Sequence, residues 1–153
     1  MTEDERFMLQ AIALGERARG TTGDNPYVGC VIVHEDQLLG EGLTHPPGQH
    51  HAEIAAILEA ERRGHDLTRA TLYSTLEPCC FEQRTPACTS AIIARRIPRV
   101  VIGILDPHPR VRGRGISQLQ AAGVEVVQGI CPGEVRGYLG QWLESFYPGL
   151  PGQ

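Results

Sequence analysis

The sequence contains, from residue 28 to residue 34, the run Val28-Gly29-Cys30-Val31-Ile32-Val33-His34, in which β-branched residues dominate. A continuous apolar run of this kind is typical of a strand that is buried on both faces. Glu35-Asp36 follows as a turn, and residues 37–43 form a second strand-like segment. The two segments therefore predict a β-hairpin.

Helical periodicity appears on both sides of this hairpin. Apolar residues recur at helical spacing between residues 2 and 19, where Thr2 is a candidate N-cap and Glu5 lies three residues later. Residues 52–63 carry a second apolar stripe, which stops at Gly64. We therefore expect one helix before the hairpin and another after it.

The remaining chain continues the alternation of strands and helices. Further strands are predicted at 70–75, 99–105 and 124–127, and further helices start near residue 86 and span 116–122 and 134–146. Such alternation is typical of an α/β domain with helices on both faces of its sheet. We expect a mixed sheet of about five strands in one domain, residues 1–147, and a short tail, residues 148–153.

Composition and charge narrow the function classes. The formal net charge of −4 gives no field that favours nucleic acid or an anionic membrane. No apolar run approaches the roughly 20 residues of a membrane span, and the acidic start of the chain is unlike a secretory signal. The five cysteines, an odd number, favour thiols, metal ligands or core residues over a disulfide framework. We therefore expect a cytoplasmic protein that binds neither nucleic acid nor membrane.

One imidazole and two thiols form a candidate zinc site. His51, Cys79 and Cys88 would supply one nitrogen and two sulfur ligands, with a fourth position open for water, as is usual in catalytic zinc sites. Zinc lowers the pKa of its water to roughly 7, which makes a nucleophile at neutral pH. Glu53 lies about 200° from His51 around an ideal helix, so the two converge only if the metal sits at the open end of that helix. Glu53 is then the candidate general acid and base.

The zinc ligands stand in motifs that resemble a known family. His51-Ala52-Glu53 followed by Pro78-Cys79 and a later cysteine is the signature of the zinc-dependent nucleobase deaminases. Eight residues separate Cys79 from Cys88, where the usual signature has two. With this spacing the chain resembles the deaminase domain of the bifunctional riboflavin-biosynthesis deaminase/reductases. The resemblance covers nearly the whole chain and extends to Asn25-Pro26-x-Val28-Gly29, Gly40-Glu41-Gly42, Thr75-Leu76-Glu77-Pro78-Cys79, Arg84-Thr85-Pro86-x-Cys88 and Asp106-Pro107-x-Pro109.

This resemblance implies a three-layer α/β/α sandwich of the cytidine-deaminase type with Zn²⁺ in its cleft. It also implies a small-molecule substrate, a diaminopyrimidinone with a ribosylamino phosphate, from which ammonia leaves. Glu53 matches the proton shuttle and Asn25 the pyrimidine contact. Members of the family are commonly homo-oligomers, here expected as a dimer or tetramer, and a separate reductase is a possible partner because the chain carries no reductase portion. The candidate substrate-binding residues are Asn25, Thr44, His45, Ala52, Phe81, Arg84, Asp106, His108 and Arg110.

The chain departs from the family in loops around the substrate. Thr44 stands where the family usually has a histidine, and His45 is displaced by one position. Cys80-Phe81 replaces a Ser-His pair, Gln83 replaces a glycine, and His108 replaces an asparagine. The metal residues are retained, so the reaction is predicted more firmly than the substrate. Either the riboflavin intermediate or a related pyrimidine- or purine-type metabolite of a specialised pathway fits this pattern.

Other interpretations of the zinc cluster stay open. A structural zinc would need a fourth protein ligand, for which His50 and Cys80 are available. A catalytically silent zinc-binding module, which binds a ligand or partner, is the non-enzymatic alternative. A tRNA deaminase is a further alternative, but the Cys79–Cys88 spacing and the acidic charge balance count against it.

Two further patterns have a structural and a functional interpretation. Arg110, Arg112 and Arg114 are either a solvated loop or a clamp for phosphate, which arginine binds through paired hydrogen bonds. Aromatic residues at positions 138, 142 and 146 are spaced by four. That spacing favours a core or subunit-contact stripe over a platform for a ligand.

Overall fold

The molecule is built around a five-stranded sheet with helices on both of its faces. The computed structural model describes residues 1–81 and 87–149. The strands are Gly29–His34 (β1), Gln37–Leu43 (β2), Thr71–Leu76 (β3), Arg99–Ile104 (β4) and Glu125–Gln128 (β5). The helices are Glu3–Ala18 (α1), Ala52–Arg62 (α2), Cys88–Ala94 (α3), Arg114–Ala121 (α4), Pro132–Tyr138 (α5) and Gly140–Phe146 (α6).

The sheet is mixed, with strand order β2-β1-β3-β4-β5. β1 pairs antiparallel with both β2 and β3, whereas β3, β4 and β5 run parallel. Because β3 and β4 are parallel neighbours, the segments that follow Leu76 and Ile104 leave the same edge of the sheet side by side. The backbone N–H of Glu77 donates to the carbonyl oxygen of Ile104 across 3.0 Å, which extends this pairing beyond the strands.

Side chains of β1 alternate between the two helical layers. Val31 and Val33 belong to a core cluster with Phe7 and Met8 of α1. Cys30 and Ile32 belong to the larger cluster on the other face, which contains residues of α2, α3 and α4. Five of the six β1 residues are buried, as the continuous apolar run predicts. The predicted three-layer α/β/α sandwich and mixed five-stranded sheet are therefore confirmed.

The predicted start of the first helix is confirmed in detail. The N–H of Glu5 donates to Oγ1 of Thr2 across 3.1 Å, and the N–H of Thr2 donates to Oε1 of Glu5 across 2.9 Å. This reciprocal pair is a capping box, which satisfies two backbone donors that the first helical turn would otherwise leave free.

Gly42 allows α2 to pack closely against the hairpin. A Cβ atom at Gly42 would lie 2.4 Å from the carbonyl oxygen of Ala52 and 2.6 Å from the nitrogen of Ala56. Both of these atoms belong to the helix backbone and cannot move away independently. The missing side chain therefore sets the height at which the first turn of α2 lies above β2.

The prediction of one continuous C-terminal helix over residues 134–146 is wrong. The structure has two helices, α5 and α6, which meet at Leu139 with φ −85° and ψ 2°. Glycines at 137 and 140 flank this junction, and glycine is a weak helix former. The first of the two helices also starts earlier than predicted, because Cys131 adopts a left-handed conformation and Pro132 occupies the first turn.

A chain of buried hydrogen bonds ties α5 to the sheet. The Tyr138 hydroxyl donates to the carbonyl oxygen of Tyr27 across 2.8 Å and lies 2.8 Å from Oγ1 of Thr75. Since the Tyr138 proton is already used, the Thr75 hydroxyl donates to Tyr138 and accepts from the N–H of Gly29 at 3.2 Å. Three separate segments of the chain are joined in this way.

Among the described residues, no helix has both the length and the apolar character that crossing a membrane requires. Of the predicted tail, residues 150–153 lie outside the described residues.

Candidate active site

The imidazole of the cluster stands at the open end of α2. His51 is the N-cap of this helix, with an extended backbone (φ −72°, ψ 164°), and Glu53 lies in the first turn. The extended cap removes the roughly 200° separation that a continuous helix would impose. Both residues line the same cavity at this end of the helix.

The two thiols come from different elements. Cys79 follows β3 by three residues, and Cys88 is the first residue of α3. The N–H of Cys88 donates to Sγ of Cys79 across 3.3 Å, and the N–H of Thr89 donates to the Cys79 carbonyl oxygen across 3.1 Å. These bonds satisfy donors of the first turn of α3 and fix Cys79 over the start of that helix.

The three potential ligand atoms form a compact triangle. Nδ1 of His51 lies 3.6 Å from Sγ of Cys79 and 3.4 Å from Sγ of Cys88. At ordinary Zn–N and Zn–S lengths and a tetrahedral angle, a nitrogen and a sulfur ligand should lie about 3.6 Å apart. The observed separations therefore fit a tetrahedral zinc ion. Among the described residues, these three form the one cluster of metal-competent groups.

Neither candidate for a fourth protein ligand joins this triangle. The thiol of Cys80 instead donates to the carbonyl oxygen of Arg110 across 3.3 Å. His50 is an exposed residue outside the cluster. The described geometry thus favours three protein ligands and an open fourth position over a closed structural site.

Glu53 is a buried carboxyl group close to the three potential metal ligands. The residue is 4% exposed. Burial raises the pKa of Glu53 to about 7, and the nearby His51 opposes part of this rise. A carboxyl group with a pKa near neutrality can both accept and release a proton under physiological conditions, as a general acid and base must.

The sulfur ligands influence each other's protonation. A hydrogen bond from the Cys88 thiol lowers the pKa of Cys79 well below that of an ordinary thiol, and the same bond raises the pKa of Cys88. The hydrogen bond to Cys79 raises the pKa of His51. The pair therefore favours one thiolate, at Cys79, the form in which sulfur binds metal.

The metal cluster lies in a cavity of about 610 Å³ that is large enough for more than a single base. Six predicted substrate contacts line it: Asn25, Thr44, Phe81, Asp106, His108 and Arg110. Ala52 is fully buried and is not among the lining residues. His45 lines a neighbouring depression, together with Pro46 and Pro47, and Arg84 lies outside the described residues.

A zinc-binding family matches this chain over the residues that form the site. The model of the cytidine and deoxycytidylate deaminase zinc-binding region matches residues 1–104, which include all three potential ligands and Glu53. The chain belongs to this deaminase family. Its cofactor is Zn²⁺, as the His-Cys-Cys triangle independently indicates.

Similar proteins place this deaminase within one branch of the family. The riboflavin biosynthesis protein RibD of Escherichia coli is 42% identical over 149 residues, which are 97% of this chain and 40% of that protein. A solved RibD of Acinetobacter baumannii has a TM-score of 0.87 at 41% identity and is matched over 97% of this chain and 41% of its own. The chain thus spans about two fifths of the length of these relatives.

A third relative is a deaminase and reductase by name. It is the diaminohydroxyphosphoribosylaminopyrimidine deaminase/5-amino-6-(5-phosphoribosylamino)uracil reductase of Thermotoga maritima, with a TM-score of 0.86 at 39% identity, matched over 92% of this chain and 40% of its own. The predicted resemblance to the deaminase domain of these bifunctional proteins is confirmed.

Phe81, His108 and Arg110 lie together in the wall of the deaminase cavity. The Arg110 guanidinium lies 4.1 Å from the centre of the Phe81 ring, and the His108 ring lies 5.5 Å from Phe81 on centroids. The N–H of Arg110 also donates to Nδ1 of His108 across 3.0 Å. Residues from two loops thus form one stacked cluster at the cavity mouth.

Thr44 occupies the wall with its polar group already engaged. Its Oγ1 accepts from the N–H of Val28 across 2.9 Å, and the side chain is 4% exposed. A hydroxyl held in this way has little freedom to turn towards a substrate. Thr44 therefore contributes a small, already bonded side chain to the cavity wall.

The aromatic side of the deaminase cavity was not predicted from the sequence. Trp142, Phe146 and Tyr147 line it, and Phe146 is 46% exposed there. The indole N–H of Trp142 donates to the carbonyl oxygen of Asp24, next to Asn25. The spacing of four was the available signal, but it predicted a core or subunit contact and could not show that the helix end meets the cavity.

Proposed function

We propose that this deaminase acts in riboflavin biosynthesis on a diaminopyrimidinone that carries a ribosylamino phosphate. Water would replace the ring amino group, giving a carbonyl group and ammonia. One observation carries the proposal: a zinc-sized triangle of His51, Cys79 and Cys88 lies beside the buried Glu53 in a cavity of about 610 Å³. The sequence identity of 41–42% to two RibD proteins supports the choice of substrate.

In this proposal each residue of the site has a defined role. His51 Nδ1, Cys79 Sγ and Cys88 Sγ would hold Zn²⁺, which when bound would supply the Lewis acidity that activates water. Glu53 would accept a proton from the attacking water and deliver it to the leaving nitrogen. Burial supports this role, because it brings the pKa of Glu53 to about 7 and excludes competing solvent.

The rest of the cavity would orient the substrate. Asn25 and Asp106 line the cavity beside the metal cluster and offer hydrogen-bonding groups for a heterocyclic ring. Arg110 lies at the mouth, where its guanidinium can pair with a phosphate. Arg112 and Arg114 are not among the cavity-lining residues, so Arg110 is the member of the basic run that we assign to the phosphate.

The altered rim supports a second candidate substrate. Thr44, Phe81 and His108 replace family residues, and all three line the cavity. A related aminated pyrimidine or purine of a specialised pathway would keep the metal chemistry and use these changed contacts.

The proposal also includes partners and surroundings. We expect a homo-oligomer, a dimer or tetramer, a separate reductase that uses the product, and a cytoplasmic location. Residues 1–147 would form the deaminase unit. Support comes from the bifunctional relatives, of which this chain matches the deaminase part.

An ammonia-release assay with the zinc-loaded protein tests the proposal. The diaminopyrimidinone ribosylamino phosphate is the first compound, followed by aminated pyrimidines and purines with and without phosphate. Glu53→Ala should bind zinc and release no ammonia, whereas Glu61→Ala, an exposed change on the same helix, should behave as the parent protein. Turnover of another heterocycle alone would select the second substrate. Zinc binding without ammonia from any compound would instead support the catalytically silent module and overturn the proposal.

A further inference from the structure

Glu77 is a buried carboxylate without a role in the chemistry described so far. It directly follows β3, stands two residues before Cys79, and is 2% exposed. Its Oε1 accepts from the backbone N–H groups of Asp106 at 3.2 Å and Gly113 at 3.0 Å. Its Oε2 accepts from the N–H of Ile116 at 3.1 Å. A single side chain thus satisfies three backbone donors of another segment.

These donors lie at both ends of the loop between β4 and α4. This loop, residues 105–113, carries Asp106, His108 and Arg110 into the cavity. Inside the loop the bonds are short-range, such as the N–H of His108 to Oδ1 of Asp106 at 2.9 Å. The contacts to Glu77 bridge the loop's beginning and its end, so they determine where the loop as a whole is placed.

Close packing reinforces this placement. A Cβ atom at Gly115 would lie 2.4 Å from the carbonyl oxygen of Pro78 and 3.1 Å from Oε2 of Glu77. The thiol of Cys80 also bonds the loop through the carbonyl oxygen of Arg110. The segment that contains Cys79 is therefore also the segment against which the loop rests.

We propose that Glu77 is a positioning residue of the deaminase. It fixes the 105–113 loop relative to Cys79 and thereby sets the distance between the metal cluster and the cavity side chains of that loop. The inference rests on the proposed function in so far as the loop binds the substrate of the deamination. Both carboxylate oxygens are occupied by backbone donors, so Glu77 acts through the loop and not on the reacting atoms.

Glu77→Gln is the sharpest test because it preserves the size of the side chain. A glutamine has one accepting oxygen and one NH2 group, which is itself a donor. The NH2 group would therefore face either the N–H of Ile116 or the N–H groups of Asp106 and Gly113. We expect KM to rise about tenfold, the factor typical of losing one charged hydrogen bond. The value of kcat should change less, and the zinc content should stay that of the parent protein.

Limited digestion with trypsin supplies a readout that needs no substrate. The segment contains Arg110, Arg112 and Arg114, after which trypsin cleaves, and a released loop should be cut faster in Glu77→Gln. The matched control is Glu59→Gln. Glu59 lies on α2, away from the cavity, and its Oε1 also accepts from a backbone N–H, that of Glu41 at 3.2 Å. This control should keep the parent's KM and cleavage rate.

Parental KM and parental cleavage in Glu77→Gln would overturn the inference. Loss of zinc with the parent's cleavage rate would overturn it as well, since Glu77 would then support the metal ligand alone. If Glu77→Gln does not fold, Gly115→Ala separates the loop from an intact carboxylate and should give the same two changes. If the parent protein releases no ammonia from any compound, the proposed function fails, while the trypsin comparison still decides the inference.

Discussion

The indole N–H of Trp142 donates to the carbonyl oxygen of Asp24 across 2.9 Å, and this bond joins the C-terminal helix α6 to the loop that carries Asn25. Asp24, Asn25 and Trp142 all line the cavity that contains the metal cluster. A residue near the end of the described chain thus holds the backbone next to a candidate base contact.

Trp142→Phe should loosen this loop while keeping an aromatic ring in the wall. Loss of a neutral hydrogen bond costs about 0.5–1.5 kcal/mol, so we expect KM to rise by up to about tenfold with little change in kcat. Steady-state ammonia release and thermal unfolding should be measured together. An unchanged KM beside a lowered melting temperature would mean that the bond serves stability alone.

Glu53 should make the stability of the protein depend on pH when zinc is removed. Burial raises its pKa from 4.5 to about 7, so the folded protein binds more protons than the unfolded chain within this window. The contribution of the protonated Glu53 carboxyl to the free energy of unfolding is fully present below pH 4.5, and it is lost as the pH rises through 7. The shift corresponds to about 3 kcal/mol.

Glu53→Gln isolates this effect because the amide does not titrate. In urea unfolding with a chelator, the variant should match the parent near pH 4.5 and exceed it increasingly up to pH 8, by about 3 kcal/mol at most. A constant difference between the two proteins across this range would show that Glu53 is not buried as a neutral acid.

Removal of one thiol should abolish zinc binding. Cys88→Ala breaks the His-Cys-Cys triangle, and we expect zinc to fall from about one ion per chain to almost none. Cys131→Ala is the matched control, because this cysteine lies at the start of α5, away from the cluster. Metal analysis of the purified proteins is the measurement. Full zinc occupancy in Cys88→Ala would remove Cys88 from the ligand set.

Gly42→Ala should disturb the metal site from a distance. The added methyl group would meet backbone atoms of Ala52 and Ala56, so the first turn of α2, with His51 and Glu53, must lift from the sheet. Overpacking of this kind costs about 1–3 kcal/mol, and weaker zinc binding should accompany it.

In the control variant Gly137→Ala, the added Cβ meets nothing within 4 Å, so this change within a helix should stabilise the protein by about 0.5–1 kcal/mol. Chemical unfolding and competitive zinc titration compare the two variants.

Local signals in the sequence account for most of the fold. The capping box at Thr2 and the apolar run of β1 depend on neighbours along the chain, and both were predicted with the right boundaries to within a residue or two. The metal residues were found because their spacing and flanking motifs match a known signature. The break at Leu139 was missed, because a helical pattern of apolar residues continues through it.

Long-range packing accounts for what the sequence did not reveal. Glu77 belongs to the motif that ends at Cys79, and nothing near it in the sequence indicates that its carboxylate oxygens accept hydrogen bonds from the segment after β4. Trp142 reaches the cavity because α6 packs against the loop that contains Asp24 and Asn25. His45 lines a neighbouring depression whose wall also includes Asn25, Thr44 and His51 of the main cavity. Such placements depend on the assembled layers.

The hydrogen-bonded chain from Gly29 through Thr75 to Tyr138 sets the smallest fragment that can fold. The family match ends at residue 104, but Tyr138 supplies the partner that the Tyr27 carbonyl and the Thr75 hydroxyl require. A fragment cut after β4 would lose both of these hydrogen bonds and would expose to water the sheet face that α5 covers. We therefore expect a minimal deaminase to need α5, although that helix lies outside the matched residues.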